Sequence, residues 1–164
     1  MIRTGIAYDS HRFGEGRKLI LGGVDVPGAE LGLVGHSDAD VLAHAVIDAL
    51  LGAAGLGDIG RHFPDTDERW KDADSIVLLR EVAAKLNGAG WAVGNVDATV
   101  ICEVPKLGPY REPMERTLAE AATVKADAVN VKFTTNERMG FVGRGEGIAA
   151  LATATVVAIA AAGG

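Results

Sequence analysis

Apolar and polar positions along the chain mark out strands and helices in alternation. Residues 2–8 read as a strand, followed by a glycine-rich connection and then RKLILGGVDVPG, a hairpin-like pair broken at Gly22 and Gly23. A helix is expected from near Ser37, which with Asp40 three residues on resembles a capping box, to about Leu51, ahead of glycines 52, 55 and 57. A second helix is expected from Asp74 to about Asn87, with Gly88 as its stop. NVDATVIC (95–102) and AVNVKFTT (128–135) are rich in β-branched residues and read as strands, with a helical stretch from Pro109 to about Val124 between them. The alanine-rich segment from about Glu146 to Ala162 reads as a last, closely packed helix. Without a regular parallel repeat, this order favours an α+β fold, one mixed sheet packed with helices, over a doubly wound sheet. The connection from Gly57 to about Lys71 has no clear periodicity, and loops of that length inside compact domains are usually functional.

On the helix starting near Ser37, Leu42, Val46, Ala49, Leu50 and Ala53 share one face. Asp40, His44 and Asp48 form a stripe on the other, flanked by Val41, Ile47 and Leu51. A helix apolar on nearly every side belongs in a core, and a buried histidine beside carboxylates needs a partner. At 164 residues and 48% hydrophobic, the chain is long enough for one sizeable core, expected as a single domain over 1–164. A net charge of −6 and the lack of any basic run argue against a nucleic-acid partner. Cys102, the single cysteine, lies in a β-like run and reads as a small buried hydrophobe rather than a reactive thiol. There is no charged-then-apolar leader, and the apolar run 148–162 is shorter than the ~20 residues of a spanning helix. No membrane partner and a cytoplasmic location are therefore expected.

Candidate chemistry begins at YDSH, residues 8–11. Residues i and i+2 of a strand project to one face, so Asp9 and His11 could converge with His44 from the helix. Two imidazoles and a carboxylate suit zinc with a fourth position left free, and Asp48 could orient one imidazole. Spacing alone leaves the alternative open, and favours it: His11 as an exposed strand-end residue, His44 as a hydrogen-bonded core histidine.

Four segments in order, GIAYDSHRF (5–13), HSDADVLAHAVIDALLGAAGLGDIGRHFPDTD (36–67), NVDATVICEVPK (95–106) and VNVKFTTNERMGFVGRGEGIAA (129–150), resemble the 2-C-methyl-D-erythritol 2,4-cyclodiphosphate synthase family. The resemblance covers almost the whole chain. It implies a fold like that of Bacillus-type chorismate mutase and a homotrimer with active sites between adjacent subunits. It also implies one zinc ion per site on Asp9, His11 and His44, with a second divalent ion, magnesium or manganese, on Glu137 bridging a diphosphate. By the same transfer His36 and Thr135 position and stabilise the transferring phosphate, with Ser37 beside them as a substrate contact. Asp58, Ile59 and Gly60, with Phe63, Pro64, Asp65, Thr66 and Asp67, resemble the pocket for the methylerythritol part. Pro105, Lys106, Thr134 and Asn136 resemble the cytidine diphosphate site, and Phe141, Arg144 and Glu146 lie around the trimer axis. Taken singly, His36 could simply precede a helix cap, Asp58 and Asp65 could be turn formers, and Lys106 a solvated charge. The chain departs from the family at Asn136, where some relatives carry a third threonine, and at Leu107 and Gly108, which replace bulkier residues. GFVGRGEG is no Walker A loop, because no Gly-Lys-Ser/Thr follows.

The implied reaction converts 4-diphosphocytidyl-2-C-methyl-D-erythritol 2-phosphate to the cyclic diphosphate and CMP. Its nucleophile is a phosphate already ionised at neutral pH, which agrees with a sequence lacking an obvious Ser-His-Asp or Cys-His arrangement. A zinc hydrolase using the same ligands, or a trimeric binding protein with a structural metal, are the competing readings.

Overall fold

The structure, a computed structural model, describes residues 1–160. Its main sheet has five strands in the order β4-β1-β7-β5-β6, with β1 at Ile2–Gly14, β4 at Gly32–Leu33, β5 at Trp91–Ile101, β6 at Val129–Thr134 and β7 at Gly147–Ala158. Only β5 and β6 run parallel; the remaining pairs are antiparallel, so the sheet is mixed as expected. β2 (Ile20–Leu21) and β3 (Val24–Asp25) form the small hairpin around Gly22 and Gly23.

Helices cover one face of the sheet. α1 (Val41–Ala54) lies on β1 and β7, α3 (Ser75–Gly88) packs against α1, and α4 (Arg111–Ala121) against α3 and β6. α1 is buried all round, with Leu42, Val46, Ile47 and Leu50 fully inaccessible, as the sequence pattern demands. Its close seat on the sheet rests on Gly5, where a Cβ would stand 2.0 Å from the Ala49 carbonyl oxygen. Among the described residues the opposite face stays exposed. Along β1 the odd positions from Gly5 to Phe13 turn toward the helices, while Ile6 and Tyr8 are 73% and 53% exposed.

Three expectations are corrected. The last element is not a helix but strand β7, hydrogen-bonded on both sides, from Ile2↔Val157 to Arg12↔Gly147 and from Trp91↔Ala158 to Ile101↔Ala149. From Ala150 to Val156 its burial alternates, Ala150, Ala152, Ala154 and Val156 facing α1 and Leu151 and Thr153 facing out. The alanines are there because α1 sits close, and this packing overrides alanine's helix propensity. Residues 161 and 162 of the expected helix lie outside the described residues. Secondly, α1 begins at Val41 rather than near Ser37, and Asp40 is itself the N-cap, accepting from the Ala43 N–H at 2.9 Å. Both Asp40 oxygens also accept backbone N–H groups of the hairpin, Gly22 at 2.9 Å and Gly23 at 2.7 Å, so one fully buried carboxylate ties hairpin to helix. Burial pushes that carboxyl up, to about 6, against the pull of the three N–H groups. Thirdly, 57–71 is not an irregular loop. It contains α2 (Ile59–His62) and a 3-10 turn at Glu68–Trp70, capped by Asp58 and Asp67. α5 (Gly140–Gly143) completes the order ahead of β7. Among the described residues no helix is long and apolar enough to cross a membrane.

Candidate metal centre and adjoining cavities

β1 and α1 place three donor atoms together. Asp9 Oδ2 lies 3.0 Å from His11 Nε2 and 3.3 Å from His44 Nδ1, and the two imidazole nitrogens are 3.2 Å apart. Donors at zinc's ~2.0 Å bond length and tetrahedral angles stand about 3.3 Å from each other, so the triangle fits that ion. Among the described residues this is the one group of three potential ligands within such reach. Asp9 Oδ2 is moreover buried with no hydrogen-bond partner among them, although both imidazoles are near. Three lone pairs aimed at a common point, rather than at one another, give that combination of short distance and missing hydrogen bond.

The outer ring nitrogens explain the aim. His11 donates Nδ1–H to the Val34 carbonyl at 3.0 Å, which leaves Nε2 as a lone pair. Gly35 lets the following backbone lie against that ring, since a Cβ there would stand 3.1 Å from His11 Cε1. His44 Nε2 lies 3.0 Å from the Ser37 hydroxyl and 2.9 Å from that of Ser75, and Ser75 donates its own proton to Asp38 at 2.5 Å. Ser75 can therefore only accept from His44, which puts the proton on Nε2 and the lone pair on Nδ1. The expected orienting role of Asp48 is not found: its Oδ1 accepts the Ile59 N–H at 2.6 Å and anchors the start of α2 instead. Burial raises the Asp48 carboxyl, with that N–H pulling the other way. Burial opposes ionisation of Asp9 as well, but the adjacent His11 and His44 imidazoles outweigh it and hold Asp9 well below the usual carboxylate range. Burial likewise works against a charged His11, yet the Asp9 carboxylate prevails and raises it.

Beside the triad opens a cavity of about 370 Å³. His36, Ser37, Ile59, Gly60, Phe63, Pro64 and Asp65 line it with both imidazoles, as do Trp70 and Leu78, which the sequence did not single out. Phe63 and Trp70 meet edge to face at 5.0 Å, making an apolar wall. His36 donates Nε2–H to the Asp67 carbonyl at 3.2 Å. Three expected pocket residues stand apart from the lining. Asp58 accepts the Arg61 N–H at 3.0 Å as the cap of α2. Asp67 caps the 3-10 turn and pairs with Arg69 at 2.6 Å, and Thr66 does not line the cavity. Turn chemistry claims the acids first, because each satisfies an orphan N–H of the element it starts.

A second cavity, about 250 Å³, shares no lining residue with the first. Pro105, Lys106, Thr134 and Thr135 line it, with Leu107 and Gly108 at the family departure and Arg111 lying over the Phe133 ring at 5.5 Å. Asn136 and Glu137 follow in a turn where the Thr135 hydroxyl donates to Glu137 at 2.9 Å and the Asn136 amide to the Met139 carbonyl at 2.7 Å. Phe141, 38% exposed, and Arg144, paired with Glu146 at 2.7 Å, line neither cavity.

Comparison with known proteins places this geometry in a family. Residues 2–157 match the YgbB family. The 2-C-methyl-D-erythritol 2,4-cyclodiphosphate synthase of Methylobacillus flagellatus is 60% identical over 156 residues, 95% of this chain and 97% of that protein. A bifunctional enzyme IspD/IspF of an Anaeromyxobacter species is 60% identical over 158 residues, 96% of this chain, which spans only 40% of that longer protein. Among solved structures, the bifunctional IspDF of Campylobacter jejuni superposes with a TM-score of 0.92 at 43% identity, over 97% of this chain and 43% of that one. The CDP complex of IspF from Plasmodium falciparum superposes with a TM-score of 0.83 at 30% identity, over 96% of this chain and 97% of that one. The fold, the donor triangle and the matches agree: the chain belongs to the YgbB family, that of the 2-C-methyl-D-erythritol 2,4-cyclodiphosphate synthases.

Proposed function

We propose that the chain closes the ring of 4-diphosphocytidyl-2-C-methyl-D-erythritol 2-phosphate. An oxygen of the 2-phosphate attacks the β-phosphorus, the bond from that phosphorus to the oxygen of CMP breaks, and 2-C-methyl-D-erythritol 2,4-cyclodiphosphate and CMP leave. The observation that carries this is the Asp9–His11–His44 triangle opening on a cavity with one apolar wall. Relatives at 60% identity that bear this enzyme's name support it, as does the solved IspF complex with CDP for a cytidine nucleotide ligand.

Zinc held by Asp9, His11 and His44, and magnesium or manganese held by Glu137, would supply Lewis-acid neutralisation of the phosphate oxygens. The residues of the chain do the rest by position. Ile59, Phe63, Trp70 and Leu78 give the methyl-bearing carbons an apolar wall and exclude water, while the Asp65 carboxylate is an acceptor for substrate hydroxyls. His36 and Ser37 stand at the triad side of the cavity to hold the transferring phosphate. Lys106 brings positive charge and Thr134 and Thr135 bring hydroxyl donors to the nucleotide diphosphate. No base is required, and neither metal-side imidazole is free to act as one, since the outer nitrogens of His11 and His44 are already engaged.

The two cavities have no lining residue in common, yet one substrate must touch both. A homotrimer of the chorismate-mutase-like kind, with each site formed between adjacent subunits, meets that need, and the bare sheet face with Ile6 and Tyr8 gives it a surface. The chain is taken to work in the cytoplasm as one domain over 1–164, in keeping with a lone cysteine that forms no bridge. Phosphorus NMR of the protein with substrate, zinc and magnesium is expected to show cyclic diphosphate growing in step with CMP. An open-chain hydrolysis product would instead make it a zinc hydrolase. Asp9→Ala and His44→Ala are expected to keep the circular-dichroism spectrum, lose bound zinc and lower turnover by orders of magnitude.

A further inference from the structure

Where the parallel strands β5 and β6 end, a side chain takes over the pairing. The last main-chain rung beyond the ladder is the Cys102 N–H to the Thr134 carbonyl at 2.9 Å. Past it the two backbones diverge, β5 toward Pro105 and Lys106, β6 into the turn at 135–139. Glu103 bridges the gap: its Oε1 accepts the Asn136 N–H at 2.9 Å and the Arg138 N–H at 3.2 Å. Those two amides flank Glu137, the residue assigned to the second cation.

The turn needs holding. Glu137 and Arg138 have φ of 51° and 61°, two successive side-chain-bearing residues in the left-handed region, which persist only where the surroundings over-determine them. On its far side the turn is gripped by α5, because Gly143 lies so close that a Cβ there would stand 2.2 Å from the Arg138 carbonyl carbon. On its near side the only grip among the described hydrogen bonds from outside the turn is the Glu103 carboxylate. What this conformation achieves is the pairing of the Thr135 hydroxyl with the Glu137 carboxylate, 2.9 Å apart, at the rim of the nucleotide-side cavity.

We propose that Glu103 is a positioning residue for the ring closure, replacing a main-chain rung with a carboxylate so that Thr135 and Glu137 face the nucleotide diphosphate together. This rests on the reading of Thr135 and Glu137 as substrate-side groups. The function of Glu103 is geometric: it needs an acceptor oxygen at that reach, not a negative charge.

The test uses the zinc-loaded protein and CDP as probe, with calorimetric affinity and kcat and KM for the full substrate. Glu103→Gln keeps an acceptor Oε1 and is expected to stay within about threefold of the parent in CDP affinity. Glu103→Asp keeps the charge but falls one methylene short, and Glu103→Leu has neither; both are expected to weaken CDP binding at least tenfold with zinc content unchanged. Amide exchange at Asn136 and Arg138 should accelerate in those two variants and not in Glu103→Gln. Should Glu103→Leu fail to fold, the Asp and Gln pair decides alone. An Asp variant that matches the parent while Gln is impaired would overturn the proposal, since charge and not geometry would then be in use. Thr135→Val and Glu137→Gln separate the underlying reading: if neither alters CDP binding or turnover, that reading of the turn fails. If they do and Glu103→Leu does not, only the role of Glu103 fails.

Discussion

An aspartate and two imidazoles can meet inside a protein as hydrogen-bonded ion pairs or as ligands, and the outer nitrogens distinguish the two. Here Val34 and Ser75 fix both tautomers so that the inner lone pairs face each other's neighbourhood with no proton between them. Ser75→Ala removes one of these guides and one of the three hydrogen-bond donors to Asp38; zinc affinity is expected to fall about 10- to 100-fold, measured by competition with a chelator. The same donors set a pH dependence. In the metal-free chain His11 is raised above its ordinary 6.5, so its contribution to stability is complete below that value and is lost as pH rises through the folded one. Asp9 is lowered from 3.8, so its contribution persists above that value and is lost only as pH falls toward the folded one. Metal requires neutral imidazole, so the zinc-induced rise in Tm should be smaller at about pH 5.5 than at about pH 8, read by differential scanning calorimetry. The convergence of Asp9 and His11 was legible because a strand's two-residue period makes D-x-H project to one face. Their orienting groups were not, because Val34 acts through a main-chain carbonyl and Ser75 starts a helix 31 residues from His44 in sequence.

Elements carry these side chains by how closely they pack. α1 reaches the triad only because Gly5 gives it room on β1 and because Ala150, Ala152 and Ala154 give it room on β7. Gly5→Ala places a methyl against the Ala49 carbonyl and is expected to cost about 3 kcal/mol in urea unfolding, with zinc affinity falling as His44 is pushed away. The burial of α1 was visible in its hydrophobic pattern, and the two long helices after it, α3 and α4, were found within a few residues. The final strand was not, since small residues chosen for close approach look the same as residues chosen for helix propensity. The alternation from Ala150 to Val157 was the available signal, blurred because its outward members include Leu151 and Val157. Asp40 shows a related limit. Its place as helix cap lies three residues beyond the expected Ser37, and its grip on Gly22 and Gly23 depends on tertiary approach alone.

At the scale of the molecule, the proposed trimer would use the exposed face of the sheet and bring the two separate cavities together. If the proposed trimer forms, Ile6→Glu is expected to turn it into monomers by sedimentation velocity, with zinc content kept because the change touches neither cavity, and turnover lowered at least tenfold. The topology also governs how the chain comes to be folded. β7 is central, pairing Ile2 with Val157 and Trp91 with Ala158, so the first strand made has no neighbour on that side until the last strand arrives. Ring closure over most of the chain length must come before those contacts reward it, which makes for slow assembly by the standards of helical proteins. Meanwhile the nascent chain carries an unpaired apolar edge around Ile6 and Tyr8, and a chain stopped before Gly147 would leave the donor triangle and the 135–139 turn on two half-sheets with no strand between them.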